Sequence, residues 1–562
     1  MGTAAAGAAA LGAVAGASSL VPHVAAVPSV VDARQLEGAG EGKGASPVPK
    51  PAQAIPSNWD YSADVVVVGY GFAGQAAAIT AANNGASVVI LEKQARNNHT
   101  ANSQMCLGAF VSPTNVSEAY TFMQKLSRIN LDTPESQDMA DDVIMAWATS
   151  MSENKAWLAS LGVAGFGSYA AAGRFPNIPG NGAIASYEMK KPDGTTGVGL
   201  DLFNFLDGII EGNNQTKILW ATPATHLIQN TENGAILGVN AGTTGLNIKA
   251  NKAVILTCGG YEYNDEMLKT FTCFYPIVFY GNPDNTGDGV RMGQEVGAAM
   301  SHMTIYGGGL KARFKSFPTG FLLAQNPTCG YIFVDKTGNR FADENSLGGY
   351  SGYWNAVYDN VTYDTLQRIP CYWIFDSAQM KAGPLAYTSF AAAGPIGMYT
   401  WSPDNSAELA NGWILQGADI PTLVGAINQT QSDPVLTSQP WTVDVTLDPN
   451  VVSAAVSTYN AACAAKVDGQ FGRSANTLVP ISKPPYYAVI LWPGMNNTYG
   501  GPLRNGLSQV IGTNGSPIPR LYSAGELGSV YVHYPQGGAN VGECLAFGRI
   551  AGANAAALTS WS

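Results

Sequence analysis

Asp64-Val-Val-Val-Val-Gly-Tyr-Gly-Phe-Ala-Gly74, followed closely by Val88-Val-Ile-Leu-Glu92, is the stretch whose reading decides the fold. The four valines make a short buried strand, and Gly69, Gly71 and Gly74 fill a G-x-G-x-x-G turn into an Ala-rich helix expected over Gln75 to Asn83. The first glycine allows the tight turn and the second lets a pyrophosphate approach the backbone. The third lets helix and strand pack closely, with the anion at the positive helix end. Glu92 ends a second strand about 20 residues further on, where an acid would hold a ribose hydroxyl. Strand, turn, helix, strand and acid arrive in the order of a dinucleotide site, and the spacing alone fits NAD as well as FAD.

A chain of 562 residues, 46% hydrophobic and only 12% charged, is globular and long enough for two or more domains. Its 29 basic and 40 acidic residues leave a net charge of −11, which argues against nucleic-acid or anionic-membrane partners, since both need clustered Lys and Arg. The seven cysteines are scattered with no C-x-x-C, so neither zinc nor an iron-sulfur cluster is signalled, and buried free thiols are expected.

Residues 1–32 are mostly small or apolar and resemble a secretory signal without its positive n-region; a low-complexity tail is the alternative. The expectation is an exported or cell-envelope protein, moved folded by a twin-arginine-type route. Residues 33–60, rich in Gly, Pro, Ser and Ala, read as a flexible linker, so folding begins near Tyr61. Residues 115–161 show helical apolar spacing, with Trp147 and Trp157 as core. The run from Ile218 through Val239 reads as a small antiparallel excursion, with His226 a satisfied bystander. Further strand-to-glycine units follow at Lys252-Ala-Val-Ile-Leu-Thr-Cys-Gly-Gly260 and at Asn285-Thr-Gly-Asp-Gly289. The last is Pro519-Arg-Leu-Tyr-Ser-Ala-Gly-Glu526, with Tyr534-Pro-Gln-Gly-Gly-Ala-Asn-Val541 opening a closing helix.

These four blocks in this order resemble the flavoprotein family of fumarate reductases, succinate dehydrogenases and ketosteroid dehydrogenases, over about Asp64 to Ala557. The resemblance implies an α/β fold: a Rossmann-like, glutathione-reductase-like FAD-binding domain in two parts, 61–296 and 484–562, around an inserted α+β cap at 297–483. Within the cap, Gly330 to Glu344 looks like the family's G-x-x-x-V-x-x-x-G-x-R-F-x-N-E hairpin; alone it reads as strand, turn at Thr337-Gly-Asn339 and strand. FAD is implied as cofactor, and the absence of a second G-x-G-x-x-G supports it. The implied contacts are Gly69, Gly71, Phe72, Ala73, Gly74, Glu92, Lys93, His99, Thr100, Ala101 and Ala224 in the first half. In the second they are Cys258, Gly259, Gly260, Gly287, Asp288, Gly525, Glu526, Ala539, Asn540 and Val541. His99-Thr-Ala-Asn-Ser-Gln104 is similar to the H-T-x-A-x-Q stretch that carries covalent FAD in succinate dehydrogenases. Two readings stand: a covalent link at His99, or His99 as a plain hydrogen-bonding residue beside the isoalloxazine.

The dicarboxylate ligands of the fumarate reductases are missing. Their H-P-T region is Tyr306-Gly-Gly-Gly309 here, H-H-T is Asn496-Asn-Thr498, R-L-G-G is Gln536-Gly-Gly-Ala539, and the donor Arg falls near Leu347 to Gly349. Without the arginines a dicarboxylate loses its bidentate clamps. The turn at 534–539 is instead similar to the Y-P-G-x-G-A of ketosteroid dehydrogenases, which oxidise or reduce a carbon-carbon bond next to a ketone. That branch uses tyrosines for the proton and backbone amides for the carbonyl oxygen. Tyr350, Tyr353, Tyr487 and Tyr534 are the candidate proton carriers, and Gly537 and Gly538 at a helix N-terminus the candidate carbonyl donors. The implied activity is reduction of an activated C=C bond in an apolar small molecule. Its electrons would come from an external donor, a membrane cytochrome or a quinol-linked protein. The alternatives are a dehydrogenase introducing such a bond, or a flavin protein without turnover.

Overall fold

A computed structural model of the chain describes residues 55–169, 175–272, 275–348, 366, 368–432, 440–441, 443–534 and 537–561. The valine run forms β1 (Tyr61–Val68), with Val65, Val66 and Val67 at 0% exposure. It feeds α1 (Phe72–Asn83), three residues longer at its start than the sequence suggests because helical geometry begins directly after Gly71. The chain returns as β2 (Val88–Leu91), parallel to β1 with Val65 opposite Val88 and Val68 opposite Leu91.

A short α2 (Asn102–Met105) follows, and the region 115–161, expected to be helical, divides into α3 (Val116–Leu126), α4 (Asp141–Ser152) and α5 (Asn154–Ser160). Trp147 is fully buried, and its indole N–H donates to the Tyr531 hydroxyl at 2.9 Å. Next come β3 (Thr216–Leu219), β4 (Ala224–Gln229), β5 (Ile236–Ala241) and β6 (Leu246–Leu256). Only β4 and β5 form the expected antiparallel excursion. Ile218 belongs to β3, which pairs parallel with β2 in the main sheet. His226 ion-pairs with Glu295 at the surface, as a bystander would.

Beyond β6 the chain forms β7 (Val278–Phe279), α6 (Asp288–Glu295), β8 (Tyr306–Arg313), β9 (Gly320–Phe321), β10 (Tyr331–Val334), β11 (Cys371–Asp376), β12 (Leu415–Gly417) and β13 (Tyr486–Thr498). It closes with β14 (Gln509–Ile511), β15 (Pro517–Ser523) and α7 (Ala539–Ala557). Among the described residues one sheet runs β14-β15-β6-β1-β2-β3 with the β4–β5 hairpin at its side, and a second runs β9-β8-β13-β11-β10 with β7 and β12 on β13. The first is the Rossmann-like layer; the second is the core of the cap. Strands β7 and β13 lie outside the expected cap limits of 297 and 483. The second sheet therefore draws on chain from both flanks, because β13 is the long strand on which the others pair.

The hairpin expected at 330–344 forms only its first strand. β10 pairs with β11 instead, and past the turn only Val334 bridges Arg340. The reason is electrostatic. Arg340, buried, reaches Glu344 at 2.9 Å and Asp468 at 3.0 Å, and Arg473 reaches Glu344 at 3.1 Å. Satisfying these buried charges takes precedence over a second strand ladder.

Alanine and glycine explain how closely α1 and α7 approach. A Cβ on Gly548 would lie 2.6 Å from the Ala73 carbonyl oxygen, and one on Gly552 2.4 Å from that of Ala77. The C-terminal helix thus lies against the first helix, bringing the two ends of the fold onto one cleft.

Candidate active site

The carboxyl ends of β1, β2 and β6 open into a cleft of about 790 Å³, the usual ligand position on a parallel sheet. Gly69 has φ +102°, and a Cβ there would lie 2.6 Å from the Thr257 carbonyl oxygen, so only glycine makes this turn. A Cβ on Gly74 would stand 2.2 Å from the Gly69 carbonyl oxygen, which is the close helix-strand packing expected of the third glycine. Gly71, Phe72 and Ala73 line the cleft at the N-terminus of α1, and the Phe72 amide donates to Ser103 Oγ at 2.8 Å.

Glu92 is 6% exposed and accepts from the Tyr70 amide at 3.1 Å and the Gln94 amide at 2.8 Å, which fixes its carboxylate at the cleft wall. Lys93 donates to Thr286 Oγ1 at 3.0 Å and Asp288 Oδ2 at 2.9 Å, tying the end of β2 to the start of α6. Burial pushes the Asp288 carboxyl up, but Lys93 and Thr286 outweigh it and hold it below the usual carboxylate range. Burial, with Asp288 nearby, pushes the Cys258 thiol up to about 12, so it lines the cleft as a neutral group. Thr100 and Gln94 clasp each other at 3.0 and 2.7 Å, Ala101 donates to Gln104 Oε1 at 2.8 Å, and Ala224 closes the rim.

His99 lines the cleft beside Glu92. Its Nε2 is 3.6 Å from Glu92 Oε2, and its imidazole packs among Tyr70, Phe203 and Trp220 at centroid distances of 5.8, 5.4 and 5.3 Å. Aromatic packing and Glu92 hold it at this wall of the cleft.

At the other end Asn102 Nδ2 donates to Glu526 Oε2 at 3.2 Å and Asn102 Oδ1 accepts from the Asn282 amide at 2.8 Å. Burial, with Glu262 beside it, raises the Glu526 carboxyl well above the ordinary range. Glu262 is held by the Thr498 amide at 2.6 Å and Asn285 Nδ2 at 3.0 Å. Gly259 lines the cleft, whereas a Cβ on Gly260 would lie 2.0 Å from Thr498 Oγ1, so that glycine serves contact with β13. Gly287 donates to the Gly260 carbonyl at 3.1 Å, and a Cβ on Gly525 would lie 2.8 Å from that of Ala73; both support the cleft from behind. Ala539, Asn540 and Val541 open α7 after Gly538, and the Gly537 and Gly538 carbonyls are pinned by Ser186 Oγ at 3.1 Å and the Val111 amide at 3.0 Å.

The residues fit FAD. A glycine turn without room for side chains meets a fixed acid at one end of the cleft. At the other end, Glu526 Oε1 and Asn540 Oδ1 are buried with no hydrogen-bond partner among the described residues. Sequence reasoning missed Tyr70, Asn102, Asn282, Asn285 and Glu262. Asn102 lay in the His99–Gln104 loop already singled out, and Asn282 and Asn285 lay just before the T-G-D-G block.

Of the four proposed proton carriers, Tyr487 and Tyr534 belong to the described residues. Tyr350 and Tyr353 lie outside the described residues, as does Gln536. Tyr487 is 7% exposed and stacks on Phe375 at 5.8 Å inside the cap core, which is a packing position. Tyr534 stacks on Tyr499 at 6.3 Å, just before the turn into α7.

Residues 64–541 match the profile of the FAD binding domain family. The chain is 27% identical to digoxin reductase of Eggerthella lenta, over 90% of this chain and 89% of that one. It is also 27% identical to vinyl phenol reductase of Lactiplantibacillus plantarum, over 88% and 95%. In structure it is similar to 3-ketosteroid delta1-dehydrogenase from Sterolibacterium denitrificans, with TM-score 0.71 and 20% identity over 88% of this chain and 99% of that one. An open flavocytochrome c3 fumarate reductase gives 0.64 and 23% over 89% and 79%. The chain is an FAD-dependent oxidoreductase and belongs to the FAD binding domain family.

Proposed function

We propose that this enzyme reduces a carbon-carbon double bond activated by one carbonyl group in an otherwise apolar molecule. The observation that carries the reading is the seam between β8 and β13. Gly307 lies opposite Asn497, and the side-chain oxygens of Asn496 and Asn497 are buried with no hydrogen-bond partner among the described residues. These positions, which the family resemblance gives to dicarboxylate ligands, hold neutral groups able to hydrogen-bond one polar function. The names borne by the relatives, digoxin reductase and vinyl phenol reductase, favour reduction over dehydrogenation.

FAD, when bound, supplies the hydride chemistry. The chain supplies the rest. Gly537 and Gly538, at the positive end of α7, donate to a carbonyl oxygen as negative charge develops on it. Tyr350 or Tyr534 gives the α-carbon its proton, a role a tyrosine can fill in an apolar pocket without a permanent buried charge. Electrons arrive from an external donor, a membrane cytochrome or a quinol-linked protein, which accords with export and with a single dinucleotide motif. The FAD itself is held without a covalent bond, since His99 is engaged with Glu92.

The test is anaerobic. Holoenzyme reduced with dithionite is mixed with a series of enones and enoates, and reoxidation of the flavin is followed by absorbance. Reoxidation supports the proposal. Reduction of oxidised enzyme by a saturated ketone reverses the direction, and no response to either sinks the proposed activity.

A further inference from the structure

Lys311 on β8 is 1% exposed and is not among the residues that line the cleft described above. Its ammonium lies 5.3 Å from the centre of the Tyr280 ring, and no carboxylate or hydrogen-bond acceptor among the described residues meets it. The side chain occupies space that two glycines leave open. A Cβ on Gly494, across the strand pair, would lie 2.0 Å from Lys311 Cγ, and one on Gly309 would lie 3.2 Å from Nζ.

That space adjoins the cofactor cleft. Tyr280 precedes the Asn282 amide that binds Asn102, and Phe390 packs on Tyr280 at 6.4 Å. The next residue, Ala391, donates its amide to the Met105 carbonyl at 2.7 Å. The ammonium therefore sits where the cap strand meets the loop that carries Asn102. Arg313, two residues along the same face of β8, donates only to the carbonyl oxygens of Phe314 at 2.9 Å and Thr319 at 3.4 Å. Neither cation has an acidic partner among the described residues. An ammonium buried without a counter-ion is unfavourable, and burial alone pulls Lys311 down to about 7. The missing element at this seam is an anion.

We propose that the substrate carries a single carboxylate, conjugated to the reducible double bond, and that Lys311 is the residue that binds it. This rests on the proposed function above and narrows it: the one activating carbonyl is that of an enoate with an apolar body. The free enzyme keeps Lys311 largely neutral above pH 7. Binding the carboxylate draws a proton onto the amine and forms the ion pair.

The experiment titrates oxidised holoenzyme with cinnamate and with the matching ketone, 4-phenyl-3-buten-2-one, and reads the shift of the flavin absorbance. Lys311→Met is expected to weaken cinnamate at least about tenfold, the value of one charge-assisted hydrogen bond, and to leave the ketone unchanged. Lys311→Arg is expected to keep the preference for the acid. In the unaltered enzyme cinnamate affinity falls about tenfold per pH unit above 7 while ketone affinity stays level. This series decides the matter alone if Lys311→Met does not retain FAD. Equal loss of both ligands, no loss, a level cinnamate profile, or no cinnamate binding at millimolar concentration overturns the proposal. Because the titration needs no turnover, Lys311-dependent binding without reoxidation would sink the reductase reading and leave this one standing, and the reverse result would do the opposite.

Discussion

Gly74→Ala sets two effects of known sign against each other. Alanine gains up to about 1 kcal/mol over glycine inside a helix. At position 74, however, its methyl would lie 2.2 Å from the Gly69 carbonyl oxygen and 2.9 Å from Thr257 Oγ1. Both belong to the turn and strand end that shape the cleft, so relief means pushing α1 off β1, an overpacking cost of about 1–3 kcal/mol. The net expectation is a loss of up to about 2 kcal/mol, taken from the turn that cradles the pyrophosphate, so FAD affinity falls with stability. Gly208 is the control: it lies in the helix Gly199–Glu211 and a Cβ there meets nothing within 4 Å. Gly208→Ala should therefore stabilise, by about 0.5–1 kcal/mol. The assay is FAD content after gel filtration, together with the urea midpoint of each variant. If Gly74→Ala matched Gly208→Ala in midpoint and kept full FAD, the close-packing argument for the third glycine would be refuted.

Other expectations follow from the same geometry. Acid precipitation should release all FAD into the supernatant, since His99 faces Glu92; flavin that stays with the pellet would restore the covalent reading. Arg340→Met leaves the Glu344 and Asp468 carboxylates buried without that partner and should cost about 3–5 kcal/mol in urea unfolding, far more than loss of a surface pair. Glu526 has a folded-state pKa raised by burial and by Glu262, so its contribution is full below the unfolded value near 4 and is lost as pH rises. Glu526→Gln should then steady the protein at pH 7 relative to pH 5, read as a flatter stability profile; an unchanged profile would contradict the assignment.

How far the sequence carried the fold can be seen at particular residues. The valine run and its three glycines were legible because strand, tight turn and helix leave local signatures, and β1, the turn, α1 and β2 form in the expected order. The hairpin after Gly330 was not, because Arg340 finds its partners at Glu344 and at Asp468, 128 residues away, and no local pattern reports that. Ile218 was misread for a similar reason: parallel pairing with β2 is a long-range contact that leaves no periodicity of its own. Within the site, glycines marked the cleft, but the asparagines that face it carry no motif. Tyr487 looked catalytic by position in the chain and is a core ring by position in space. Lys311 drew no notice because one lysine in a strand means little until its burial and lack of a counter-ion are seen.

The central claim is that this cleft reduces a singly activated alkene and has lost the dicarboxylate reaction. Its most direct test is the ratio of second-order rate constants with which cinnamate, or the matching enone, and fumarate reoxidise the dithionite-reduced enzyme. Losing two charge-assisted clamps, at about 1.5–3 kcal/mol each, sets the expected ratio at a hundredfold or more in favour of the singly activated alkene. Fumarate reacting as fast or faster would contradict the account.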